Sequence, residues 1–193
     1  MKEFELQEYS DQTFEGIELE GASCAGKTFT DCRFVRCRFN RLDLTGALLI
    51  DCSFDRSELS LPLVAGCGMR QVTFEASKLV GVDFTKCSVN LFGIAFKNCV
   101  LDTCNFSSLK LKKTAFVDCT IRDSRLIQSI LTEADFSGSD LERTLFHQCD
   151  LEKASFLRAK NYSIDPMTSK VAGAKFSLPA AVSLLTSLGI KLE

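Results

Sequence analysis

The chain holds one histidine, His147, has no Cys-x-x-Cys pair, and has no glycine-rich loop opening a helix. Each absence closes a class of chemistry. No zinc site has its usual ligand spacing, and no Ser/His/Asp or Cys/His group has an inward base to form around, because His147 falls at an outward position. The phosphate-cradling signature of nucleotide enzymes is missing too. No apolar run reaches the roughly 18 residues of a membrane span. The opening MKEFELQEYSDQTFEG is too acidic for a signal or transit peptide, so a cytoplasmic protein is expected, without metal or cofactor.

A net charge of −2 is too small to imply a polyanion binder or a strongly acidic protein, but the charge is uneven. Residues 1–20 carry seven acids and one lysine, and residues 133–152 carry six acids and one arginine. Lys110, Lys112 and Lys113, with Arg33, Arg36, Arg38 and Arg41, lack the interleaved stacking aromatics of a nucleic-acid surface. They read as a solvated face, and no direct nucleic-acid contact is expected.

What is present is a period of five. In Ala134–Phe156 the large apolar residues are Phe136, Leu141, Phe146, Leu151 and Phe156. Two places before each stands a small one: Ala134, Ser139, Thr144, Cys149 and Ala154. Five matches neither the 3.6 of a helix nor the 2 of a strand, so it points to a repeat architecture. The large positions run unbroken from Phe14 to Val89, then resume two residues out of phase from Phe96 to Phe156, with the interruption near Asn90–Gly93.

Phe14, Phe34, Phe54 and Phe74 recur every 20 residues, as do Phe96, Phe116, Phe136 and Phe156. Four fives make one turn of a square-sectioned parallel β-solenoid, a rod of about 35 Å at roughly 4.8 Å per coil. If the two extra residues form a local bulge, Phe74 and Phe96 share a wall. Large and small residues point inward and the other three face solvent. Seven glycines, Gly16, Gly21, Gly26, Gly46, Gly66, Gly81 and Gly138, stand two places after a large residue, where a corner needs an unusual backbone conformation. Nine of the ten cysteines occupy small inward positions and Cys24 a large one; they read as buried free thiols filling the interior.

Past Phe156 the pattern decays, returns once at Ala174-Lys175-Phe176, and gives way to SLPAAVSLLTSLGIKLE. Ser177 as N-cap, Pro179 in the first turn and Gly189 as terminator predict a helix over Leu178–Leu188. Its apolar residues Leu178, Val182, Leu185 and Leu188 share a face, with no charge between Lys175 and Lys191. Such a helix plugs the end of the solenoid, and a twofold dimer contact through these residues is expected as well. The organisation read is a cap over 1–11, a solenoid over 12–160 interrupted near 90–93, and a C-terminal cap and dimerisation helix over 161–193.

Repeats such as Ala134-Asp135-Phe136-Ser137-Gly138 resemble those of the pentapeptide-repeat family over roughly residues 12–160. The resemblance implies an all-β fold, a right-handed quadrilateral parallel β-helix with a short C-terminal α-helix. In layout the chain resembles the Qnr and MfpA type, which protect DNA gyrase and topoisomerase IV from fluoroquinolones by presenting carboxylates as DNA does. Unlike many Qnr proteins, it has no insertion longer than about two residues. The resemblance implies a non-enzymatic DNA mimic whose partner is a type II topoisomerase, with Glu133, Asp135, Asp140, Glu142, Asp150 and Glu152 as the mimic. The alternative is a general protein-interaction scaffold working through outward apolar residues such as Leu48, Ile50, Leu63, Ile127, Ile130 and Leu145.

Overall fold

A side of five residues leaves room for about three in extended form, and the strands have that length. Arg33–Val35 buries Phe34 and turns its neighbours outward. Arg36 then takes φ +54° at the corner, buried Cys37 follows, and Arg38–Asn40 begins the next side with Phe39 inward. In the computed structural model, which describes residues 4–190, this unit recurs along a parallel β-solenoid. The chain divides into two compact units, up to Val100 and from Leu101.

Corners are the recurrent cost of this fold. Left-handed backbone is open to glycine and costs other residues about 1–2 kcal/mol each. All seven glycines singled out by position adopt it, with φ between +62° and +73°. Asp31, Arg41, Leu61, Lys113 and others occupy equivalent corners at φ near +50° to +60°. A side chain at Gly21 meets nothing within 4 Å, so Gly21→Ala tests backbone strain alone and is expected to cost about 1 kcal/mol. Leu61→Gly, at φ +50° on an exposed corner, is expected to be neutral or stabilising by up to about 1 kcal/mol. Urea titration of the two variants checks the opposite signs.

In the first unit the strands pair in register every 20 residues: Glu8–Ser10 with Thr28–Thr30, and Phe34 with both Phe14 and Phe54. The ladder therefore already runs at Glu8, within the segment read as a cap. The phenylalanine rings stack, Phe34 on Phe54 at 4.6 Å and Phe54 on Phe74 at 4.9 Å. At the first coil Phe14 and Leu19 are only half-buried, and Phe4 packs edge-on against Tyr9, Phe14 and Phe29.

The interruption is built from two parts. Extra residues are taken up by a 3-10 turn at Val89–Leu91, and the strand Gly68–Glu75 shifts register against Phe92–Lys97. Met69 faces Phe92, but Val72, three residues on, faces Ile94, only two residues on. The bulge restores the pairing, and Phe74 stacks on Phe96 at 5.2 Å as the sequence spacing predicts. Val89 is a correction to the inward series. The 3-10 turn carries it off the wall and leaves it 69% exposed, while Ile94 is buried in the following strand.

In the second unit many strands shrink to single bridges such as Asn105↔Arg125 and Lys110↔Ile130. Corners there close with turn bonds, for instance Thr114 N to Leu111 O at 3.1 Å and Ala134 N to Leu131 O at 2.9 Å. Turns absorb residues that would otherwise extend the strands. Phe116, Phe136, Phe156 and Phe176 stack at 4.9–5.0 Å with rings within 9° of parallel.

The C-terminal helix is shorter than its sequence signals imply. It spans Val182–Ser187, and the preceding residues form tight turns, with Val182 N bonded to Pro179 O and Ser183 N to Ala180 O. Ser177 does not cap it: its hydroxyl accepts from Arg158 N at 2.9 Å on the adjacent coil. The terminator is where the sequence places it. Gly189 at φ +75° directs its N–H to Thr186 O and that of Ile190 to Leu185 O, a Schellman ending.

The small inward positions do more than fill volume. Ser57 Oγ donates to Phe34 O and Asp55 O, each at 3.0 Å, and accepts from Cys37 N at 3.0 Å. Ser77 repeats the pattern one coil on and Ser124 does so in the second unit, where Ser139 Oγ also donates to Phe116 O and accepts from Cys119 N. Cysteine thiols point to the corresponding carbonyls, as Cys37 does to Phe14 O and Val35 O.

Candidate functional site

With the interior closed, chemistry is left to the outward positions. Among the described residues no group of three or more His, Cys, Asp or Glu converges, and His147 is exposed. Two cavities among the described residues are surface grooves. One of about 500 Å³ runs along Glu18, Arg38 and Glu58, and another of about 500 Å³ lies between Arg158, Lys160, Tyr162, Leu178 and Pro179.

The six carboxylates all face outward but stand on three walls. Asp135 lies in the ladder Ala115–Asp135–Ser155, Asp140 in Thr120–Asp140–Lys160, and Asp150 in Ile130–Asp150–Lys170. Glu133 occupies the corner at φ +59° before Asp135; Glu142 and Glu152 follow Leu141 and Leu151. The fold does not gather the six onto one face.

Three of the six have a cation one coil away. Lys113 and Lys112 reach Glu133 at 3.5 and 4.0 Å, Lys160 reaches Asp140 at 3.3 Å, and Lys170 reaches Asp150 at 3.7 Å. Arg143 bridges its neighbour Glu142 and Asp123, at 2.7 Å from the latter. Asp135 is engaged by the backbone N and hydroxyl of Ser137, whereas Glu152 has no ion-pair partner among the described residues. Partial burial pulls the Asp140 carboxyl upward, yet hydrogen bonds from Asn161 and Lys160 overcome this and leave it below its ordinary value. Asp123 is lowered by its bond from Arg143. These cations were legible in the sequence at a spacing of 20, but charge summed along the chain hides pairs that form across coils.

Of the apolar alternatives, Leu63, Ile130 and Leu145 are well exposed, while Leu48, Ile50 and Ile127 are half-buried. At the C-terminal helix Val182 is half-buried and Leu185 and Leu188 are exposed, with Leu178 82% exposed in the preceding turn. The helix packs on the strand Ser163–Ile164, and Ser187 Oγ donates to Ile164 O at 3.3 Å. No described helix is long and apolar enough to cross a membrane.

All ten cysteines are buried and free. Burial pushes the thiols of Cys24 and Cys52 up to about 11 and that of Cys67 up to about 12, from an ordinary 9.0. The neutral thiol is thus favoured in the folded state. Its contribution is complete below pH 9, where folded and unfolded thiols are both protonated, and is lost as pH climbs toward 11 and only the unfolded chain ionises. A melting temperature flat from pH 6 to 8.5 and falling above pH 9 is expected. A thiol reagent at pH 8 should find no reactive cysteine until denaturant is added.

Family models recognise the same repeat in two stretches, a pentapeptide repeat region over residues 89–161 and pentapeptide repeats over 14–49, together more than half of the chain. A comparison with curated proteins finds no match. Among solved structures, two trypsin-treated forms of QnrB1, a plasmid-mediated fluoroquinolone resistance protein, are similar to this chain. One aligns with a TM-score of 0.62 at 16% identity, covering 96% of this chain and 100% of the other. The second aligns with a TM-score of 0.56 at 18% identity, covering 96% and 91%. The five-residue sides, the left-handed corners, the stacked phenylalanine columns and the matched repeat models together place the chain in the pentapeptide-repeat family.

Proposed function

We propose that the chain is a non-enzymatic binding protein whose outward carboxylates engage the cationic DNA-binding surface of a type II topoisomerase, in the manner of a fluoroquinolone resistance protein. The observation that carries this reading is that outward carboxylates sit on the backbone ladders of three walls. Asp135, Asp140 and Asp150 are fixed by backbone bridges to the coils on either side, so their charges are presented at set spacing without the entropy loss of ordering a loop. The lysines beside them do not block such use. Exposed ion pairs are worth about 0–1 kcal/mol, little against a partner offering several cations at once. The likeness to QnrB1 in fold supports the same reading.

A gyrase supercoiling assay with rising amounts of the protein, with and without ciprofloxacin, tests it. Rescue from the drug, or inhibition at higher dose, is expected. Changing Glu133, Asp135, Asp140, Glu142, Asp150 and Glu152 to lysine should abolish the effect with little change in melting temperature. Survival of the effect in that variant sinks the carboxylate assignment.

A second reading is favoured by the exposed Leu63, Ile130 and Leu145: a scaffold that binds another protein through apolar wall positions. Ionic strength separates the two, since a carboxylate contact weakens steeply with salt and an apolar one barely responds. In either reading the chain dimerises through the face of Leu178, Val182, Leu185 and Leu188, of which Val182 is half-buried. Leu185→Glu with Leu188→Glu should give a monomer in sedimentation.

A further inference from the structure

Charge alternates from coil to coil in the first unit. Residues 7–26, the first coil, carry five acids and no lysine or arginine, and residues 27–46 carry five cations and two acids. The swing continues more weakly, with three acids and one cation over 47–66 and three cations and two acids over 67–86. One row of a wall shows the consequence. Glu18, Arg38, Glu58 and Lys78 are successive cross-strand neighbours, with Arg38 Nη1 3.0 Å from Glu18 and Lys78 Nζ 3.3 Å from Glu58. Opposite charges facing each other across a ladder are favourable and like charges are not. A strand added before Glu18 continues the row only if it is cationic.

The backbone there is open to such a strand. Arg38 N donates to Ile17 O and Gly21 N to Asn40 O, each at 2.8 Å, so positions 17, 19 and 21 face the second coil. In a parallel ladder the alternate residues turn the other way. The N–H and C=O groups of Glu18 and Glu20 thus point to the side where no described strand lies, since Glu18–Glu20 ends its sheet. The interior is unfinished at the same place. Phe4 packs over Tyr9, Phe14 and Phe29 at this end, and Leu19 is left half-buried. Its successors in the row, Phe39, Leu59 and Leu79, are 2%, 3% and 0% exposed.

We propose that Glu18–Glu20 is a docking strand for another protein, taking a cationic extended segment of basic–apolar–basic sequence as one more parallel strand of the ladder. Main-chain bonds to Glu18 and Glu20 supply affinity, and pairing with the two glutamates and Leu19 supplies specificity. A second copy of this chain is not the occupant, because two such edges meeting would set acid against acid. The matching sequence is present in the chain itself. Arg33–Asn40 lies in register beside Thr13–Glu20 on the closed side, with Arg36 paired to Glu15 and Arg38 to Glu18. A segment of that kind on the open side meets the same side chains in the same register.

The probe is a fluorescent peptide with the sequence of Arg33–Asn40 carrying Cys37→Ser, added to the full chain at low salt. Saturable binding by anisotropy is expected. It should weaken at least about tenfold in the double variant Glu18→Lys with Glu20→Lys. Glu58→Gln, in the same row two coils inside, should leave it unchanged, and a peptide with aspartate for each arginine should not bind. Circular dichroism confirms that the variants fold. Hydrogen exchange identifies the mode: the amides of Glu18 and Glu20 should slow on binding, while that of Gly21, already bonded to Asn40 O, should not change. The proposal falls if the peptide does not bind, if the double variant binds it equally, or if it binds without slowing those two amides. It falls equally if the two amides become protected in the chain alone as its concentration rises, which marks self-pairing of this edge.

Discussion

Phe136→Ala is expected to lower stability by about 3–5 kcal/mol, read as a fall in the urea midpoint. Phe136 is fully buried, its ring between those of Phe116 at 4.9 Å and Phe156 at 5.0 Å, with Phe146 edge-on at 5.6 Å. Truncation thus removes two stacked faces and an edge contact together. Collapse cannot heal the gap, because the coil spacing is held from outside the core: Phe116 N bonds to Asp135 O at 2.7 Å and Phe136 N to Ser155 O at 2.8 Å. Phe136→Leu should cost much less, about 1–1.5 kcal/mol, since Leu131 and Leu141 serve fully buried on neighbouring sides. Phe14→Ala in the half-buried first coil should also cost less than Phe136→Ala. Equal losses for Phe14→Ala and Phe136→Ala would mean that the column does not stabilise by enclosed stacking.

The fold was legible because each side of the solenoid is nearly self-contained. A residue's role depends on its place in a five-residue frame, so Phe34 or Gly21 can be assigned without knowing what lies across the core. The frame fails where the chain leaves it. Val89 keeps the phase of the inward series, yet a 3-10 turn carries it outward, and the register shift opposite Met69 and Val72 that offsets this has no local signal. The helix begins later than its cap signal for a related reason. Ser177 has the chemistry of a cap, but the nearer demand is the backbone N–H of Arg158 on the adjacent coil. At the candidate site, facing outward was readable and company was not. Glu133 and Asp140 look like free charge in sequence, while Lys113 and Lys160 sit beside them only once the coils are stacked.

The small inward positions hold the other large effect. Read from sequence alone, Ser57 is filler between large side chains, and Ser57→Ala should then be nearly neutral. The geometry gives the opposite expectation. Ser57 Oγ is the acceptor for Cys37 N at 3.0 Å, and it donates to carbonyls on both its own coil and the preceding one. With Ser57 at 5% exposure, water has little room to replace it. Ser57→Ala leaves a buried N–H without its acceptor, at a cost of about 1–3 kcal/mol, although almost no apolar surface is lost. Ser57→Cys should cost less, because Cys37 and Cys52 make the same pair of carbonyl contacts elsewhere in the unit. Hydrogen exchange assigns the cause: in Ser57→Ala the Cys37 amide should exchange faster than the global loss of stability explains, while the Ser57 amide, held by Ser77 Oγ at 3.0 Å, should follow the global loss alone. A neutral Ser57→Ala with an unchanged Cys37 amide would return these hydroxyls to volume filling. A selective loss at Cys37 makes them the inner hydrogen-bonded seam of the solenoid, and explains why serine, threonine and cysteine share with alanine a position that shape alone would leave to alanine.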